Sequence, residues 1–275
     1  MDYLVPIVYA LLLWWFSTGL IFYLDSLHVR TFKWSMLAAT AVLAAALVTL
    51  SATAADTTVS GAYAAFTAAL LAWGWQEISL YMGYVTGPRK QRCQAGCSGW
   101  RHFGHAVSVN LWHELSIIAT AAVIAALTWN GANSFGLWTY LLLWLMHLSA
   151  RLNVFLGVRN ISEEFVPAHM DVLKSFLRKK SMNLLFPVSV TAAAAGSVLL
   201  FRHAAWVETD FELTGYTLLA AMMALALLEH LLLMLPLPVE RLFHWALSSR
   251  RTQQGAAGTR PDQIKFTILE TQAGR

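Results

Sequence analysis

Charge is what this sequence has least of. Asp, Glu, Lys and Arg make up 12% of its 275 residues, against 57% apolar residues. An ordinary soluble domain carries about twice that charged share. The balance excludes a soluble globular enzyme and predicts an all-α protein that crosses the membrane several times. Two cysteines are too few for a disulfide scaffold. The chain has no phosphate-binding loop, dinucleotide fingerprint or nucleophile elbow. No basic stretch precedes the first apolar run, which starts at Tyr3, so that run reads as a retained helix rather than a cleaved signal.

Apolar runs fill the rest. Seven are long enough to cross about 30 Å of hydrocarbon, near 3–24, 34–54, 61–85, 105–128, 137–158, 182–201 and 213–235. Residues 1–247 therefore read as one bundle of about seven transmembrane helices. Two shorter amphipathic stretches, near 167–180 and 239–247, read as interfacial helices. Residues 248–275 are polar and read as a disordered tail.

The cations decide the orientation. Loops 25–33, 86–104 and 159–181 and the tail hold 17 of the 19 Lys and Arg residues, whereas loops 55–60, 129–136 and 202–212 hold only Arg202. Positive charge stays in the cytoplasm, so the N-terminus is expected in the periplasm and the C-terminus in the cytoplasm. The same distribution explains the basic balance without any nucleic-acid partner. Alanine-rich stretches in the second, fourth and sixth runs (44–46, 121–126 and 192–195) are expected to be inner packing helices, because small residues let transmembrane backbones approach.

The stretch around which the chain is organised is LWTYLLLWLMHLSARLNVFLGV, residues 137–158, and the loop RNISEEFVPAHMDVLKSFLRKKS after it. His147 and Arg151 are four apart and share a helix face. A buried arginine is costly in hydrocarbon unless paired, so a carboxylate must answer Arg151. Glu77 and Glu114 are the first candidates. Glu77, His113, Glu114, His147, Arg151, Glu229 and His230 all fall roughly 7–16 Å from the cytoplasmic ends of their runs. Asn153 lies in the same run as Arg151, and one shared polar layer is expected.

Three histidines and three glutamates are ligand types of di-iron bundles. The adjacent pairs His113-Glu114 and Glu229-His230 lack the Glu-x-x-His spacing, so metal is the less favoured reading, with His113, Glu114 and His230 as its candidates. A haem- or bacteriochlorophyll-type pigment needs only one imidazole. A structural hydrogen-bonded network is the bland alternative. In the loop, Glu163, Glu164 and His169 are further candidates. Cys93 and Cys97, near His102 and His105, lack a well-matched zinc spacing and read as free thiols.

The residues also carry a resemblance. WWFSTGLIFYLD, WGWQEIS, GYVTGPR, WHELSI, LSARLNVFLGVRNISEEFVPAHM, LKSFLRKKSMNLLFPVSVT and LLEHLLLMLPLPVERLFHWAL resemble the PuhE-type photosynthetic complex assembly proteins of purple phototrophic bacteria, over roughly residues 1–247. The resemblance implies an inner-membrane factor for reaction-centre assembly and control of bacteriochlorophyll production. Its implied partners are the lipid bilayer, reaction-centre subunits and pigment-synthesis proteins. It brings no catalytic residues, although its motifs include Glu77, His113, Glu114, Asn153, Glu163, Glu164, His169, Glu229 and His230. A membrane enzyme acting on a tetrapyrrole or other lipophilic substrate is the alternative. A proton-coupled carrier comes third, because neither inverted repeats nor paired broken helices are visible.

Overall fold

A computed structural model describes residues 3–94, 96–161, 166–235, 243, 245 and 246. Among these residues seven long helices follow one another: α1 (Leu4–Asp25), α2 (Phe32–Ala52), α3 (Val59–Tyr81), α4 (Gly99–Leu127), α5 (Phe135–Leu156), α6 (Leu185–Ala204) and α7 (Asp210–Leu232). No strand occurs among the described residues; a lone bridge joins Val158 to Lys179. The protein is an all-α polytopic membrane protein, and six of the seven helices are long and apolar enough to span a bilayer.

The seventh, α3, is as long as the others but carries Gly61, Gly74, Gln76 and Glu77, so no stretch of it is apolar enough to span by itself. It can be so because little of it meets lipid. Fourteen of its 23 residues are buried, and it packs against α1, α2, α4, α5 and α7. The other well-buried helix is α7. The alanine-rich helices were expected to be the inner ones, and they are not: α2, α4 and α6 bury one face each and turn the rest outward. Alanine marks their contact stripe instead, as Ala39 and Ala46 on α2 or Ala193 on α6 show. The stripe brings α2 close to α3 and α6 close to α7, but it does not make either helix central.

Side chains already present in the sequence end the helices. Thr209 caps α7, its Oγ1 accepting from the Glu212 amide at 3.2 Å while the hydroxyl donates to the Glu212 carboxylate at 2.8 Å, which satisfies one orphan amide at the helix start. Thr58 caps α3 by accepting from the Gly61 amide. The Thr58 hydroxyl and amide also donate to Asp56 and hold its carboxyl below the usual range. Asn183 caps α6, its Oδ1 accepting from the Leu185 and Phe186 amides, while its Nδ2 donates to the Asn153 and Gly157 carbonyls at the end of α5. Gly157 has φ +119°, a conformation that favours glycine.

The loops segregate. At one end His169 donates to the Tyr81 carbonyl at 2.6 Å, the Cys93 amide donates to Ser175 Oγ, Arg92 meets Asp171, and the Asn160 amide donates to the Leu233 carbonyl. This end gathers the cation-bearing loops. At the other end Asn133 Nδ2 donates to the Asp56 and Gly61 carbonyls, and Phe135 packs on Phe211. The stretch expected as an interfacial helix near 167–180 forms 3-10 turns over Ala168–Phe176, interrupted at Met170. The expected helix near 239–247 and the tail fall almost wholly outside the described residues, as do Glu163 and Glu164. Phe243 and Trp245, which are described, pack on Trp14, Trp15, Phe16 and Phe22 of α1.

Candidate functional site

Arg151 meets Glu114. Its Nη1 donates to Glu114 Oε1 at 2.6 Å and to His147 Nε2 at 3.3 Å. A guanidinium only donates, so His147 Nε2 is the acceptor and the ring proton of neutral His147 sits on Nδ1. That nitrogen lies 3.6 Å from Glu77 Oε1, a contact rather than a good hydrogen bond. Trp144 donates to Glu114 Oε2 at 3.4 Å. Trp144, His147 and Arg151 fall at i, i+3 and i+7, so one stripe of α5 faces α3 and α4. That spacing was present in the sequence and identifies Trp144 as part of the group.

His113 completes this side. It is fully buried, its ring 6.1 Å from that of His147, and neither ring nitrogen has a hydrogen-bond partner among the described residues. Burying an unsatisfied polar group costs about 1–3 kcal/mol. Trp73 closes the apolar wall, edge-on to His147 at 5.2 Å and to Tyr140 at 5.8 Å. Above it Gln76 donates to Thr120 and accepts from Ser116, joining α3 to α4.

A second polar group lies across α5. Ser149 and Asn153 are each two residues from the His147/Arg151 stripe, about 200° around the helix, and so face the other way. Ser149 Oγ is 2.9 Å from both His230 Nε2 and Ser189 Oγ; Asn153 Nδ2 donates to Ser189 Oγ and to the Ser149 carbonyl. His230 Nδ1 donates to the Ala226 carbonyl, so both its nitrogens are used. Glu229 lies on the exposed side of α7 and, among the described residues, joins neither set of hydrogen bonds. The single layer expected from the common depth is therefore two groups, one between α3, α4 and α5 and one between α5, α6 and α7. Depth along a helix says nothing about direction around it. His169 lies apart from both, at the loop end.

The donor atoms of Glu77, His113 and His147 lie within 4.8 Å of one another, two imidazoles and one carboxylate from three helices. Such a set can hold a divalent ion, but the Arg151 charge beside His147 opposes a second cation there. Of the three metal candidates read from sequence, His113 belongs to this set. Glu114 is taken by Arg151, and His230 by Ser149 and Ala226.

A family model described as "Protein of unknown function (DUF3623)" matches residues 1–254. A protein of Rhodobacter capsulatus described as "Uncharacterized 30.4 kDa protein in puhA 5′ region" is 37% identical over 248 residues, covering 87% of this chain and 89% of the relative. No solved structure matches.

Proposed function

The chain belongs to the DUF3623 family, and from that premise we propose that it is an inner-membrane factor serving assembly of the photosynthetic reaction centre and control of bacteriochlorophyll production. The relative beside puhA supports the photosynthetic setting. The observation that carries the site is His113, an imidazole buried in a membrane bundle with both nitrogens unpartnered among the described residues. An imidazole of that kind suits the central metal of a tetrapyrrole, and Trp73 and Trp144 supply flat apolar walls. Glu77, His147, Arg151 and Glu114 then form its polar floor. Helix α4 carries His113 and packs less extensively than α2 does on α3, so it is the element that would yield to admit a ligand.

The test separates a working site from a scaffold. Glu77→Gln and His113→Ala should leave immunoblot abundance in membranes near wild type while near-infrared absorbance of the photosynthetic complexes falls. His230→Ala, whose ring bridges α5 and α7, should lower both signals together. Parallel loss of abundance and absorbance in the first two variants would mean that the group is scaffold only. The chain Glu77–His147–Arg151–Glu114 also favours a second reading, an enzyme that moves a proton on a tetrapyrrole. In that case the same variants should accumulate an altered pigment spectrum, not simply less complex.

A further inference from the structure

Both cysteines of the chain, Cys93 and Cys97, lie in the loop between α3 and α4, where we infer that they form a zinc site with His102 and His105 on the first turns of α4. The fourth run was expected to start near residue 105, which would put His105 at its first position and leave His102 in the loop with no fixed relation to it. Helix α4 begins at Gly99 instead, so His102 and His105 are i, i+3 neighbours on one face. The Cys97 amide donates to the Gln94 carbonyl at 3.1 Å. Gly96 at φ +82° and Gly99 at φ +60° let the loop curl so that both thiols face those rings.

The distances suit a metal. His102 Nδ1 is 3.2 Å from Cys93 Sγ; His105 Nδ1 is 3.3 Å from Cys93 Sγ and 3.4 Å from Cys97 Sγ. Ligand atoms of Cys93, Cys97 and His102 all lie within 4.8 Å of one another. With Zn–S about 2.3 Å and Zn–N about 2.0 Å at tetrahedral angles, sulfur and nitrogen sit about 3.5 Å apart. A tetrahedral set of two thiolates and two imidazoles is diagnostic of zinc among common cations. Residues 86–105 carry Arg89, Lys90, Arg92 and Arg101 but no Asp or Glu, so the loop offers no carboxylate to replace the thiols as ligand. Zinc deprotonates the thiols that it binds, and two thiolates neutralise the divalent ion.

The ligands are also braced from behind. The His102 ring stacks on Phe155 of α5 at 5.3 Å and lies 5.2 Å from Phe176, and the Cys93 amide is held by Ser175. A bound zinc would thus clamp the α3–α4 loop to α4, and through these contacts to α5 and the 3-10 segment. The cysteines and both histidines are partly exposed, so the ion has a way in.

The experiment uses full-length protein purified in detergent. Metal analysis should find about one zinc per chain, retained in Glu77→Gln and His113→Ala and reduced roughly tenfold in Cys93→Ser and Cys97→Ser. Should the serine variants not accumulate, wild-type protein serves: after chelation both thiols should react with a maleimide, and added zinc should protect both. Zinc retained by the serine variants, zinc lost from Glu77→Gln instead, or thiol reactivity indifferent to zinc would each overturn the site. Because Glu77 and His113 are outside it, its failure and that of the pigment-handling reading are told apart by which variants lose metal and which lose absorbance.

Discussion

Arg151 shows what a single charge can specify. Its need for a partner was legible from its place in apolar sequence, and so was the stripe it shares with His147. The choice of Glu114 over Glu77 was not, since both lie near the same depth and only the rotation of α3 and α4 separates them. Removing one partner of a fully buried pair costs about 3–5 kcal/mol. Here the side chains are 26% and 24% exposed, which places the loss at the lower end of that range or below. Arg151→Leu should therefore reduce the yield of membrane-inserted protein, and adding Glu114→Gln should restore part of it. Adding Glu77→Gln should restore less, because Glu77 reaches Arg151 only through His147. Equal rescue by both, read on immunoblots of membranes, would contradict the pairing seen here.

At the scale of elements, α5 is a partition with two polar faces, and the sequence held that information in its 147/151 and 149/153 spacings. The partners across each face could not be read, because Ser189 and Ser149 are ordinary small residues until α5, α6 and α7 meet. Helix starts were harder still. Gly99 is a poor first residue by propensity, and the true start of α4 there is what turns His102 and His105 into a pair. Asn183 is the most heavily used cap, with four hydrogen bonds to two helices. Loss of a capping side chain typically costs about 0.5–2 kcal/mol, and Asn183→Ala also strands the Gly157 carbonyl. Its thermal unfolding in detergent should come at a clearly lower temperature than wild type, whereas Asn183→Asp, which keeps the acceptor, should fall between. An unchanged midpoint for Asn183→Ala would show the cap to be idle.

For the whole molecule, the seven long helices were legible from the apolar runs, and the collection of cationic loops at one end agrees with the cation count that orients the chain. A reporter fused after Arg275 should be cytoplasmic and one inserted at 205–208 periplasmic; a periplasmic C-terminus would reverse the assignment. The order of the helices from outside to inside was not legible, because burial in a bilayer follows who touches whom rather than who is most apolar. The one long helix not apolar enough by itself to span the bilayer, α3, is the most enclosed. This has a consequence for synthesis at the ribosome. When α3 leaves the insertion channel, α4, α5 and α7 have not yet been made, and Gln76 and Glu77 have no protein wall to shelter them from acyl chains. Chains released after residue 90 should therefore sit unstably in the membrane and be degraded within minutes of a pulse label, while chains released after residue 235 persist. Equal lifetimes would mean that α3 needs no later helix to remain in place.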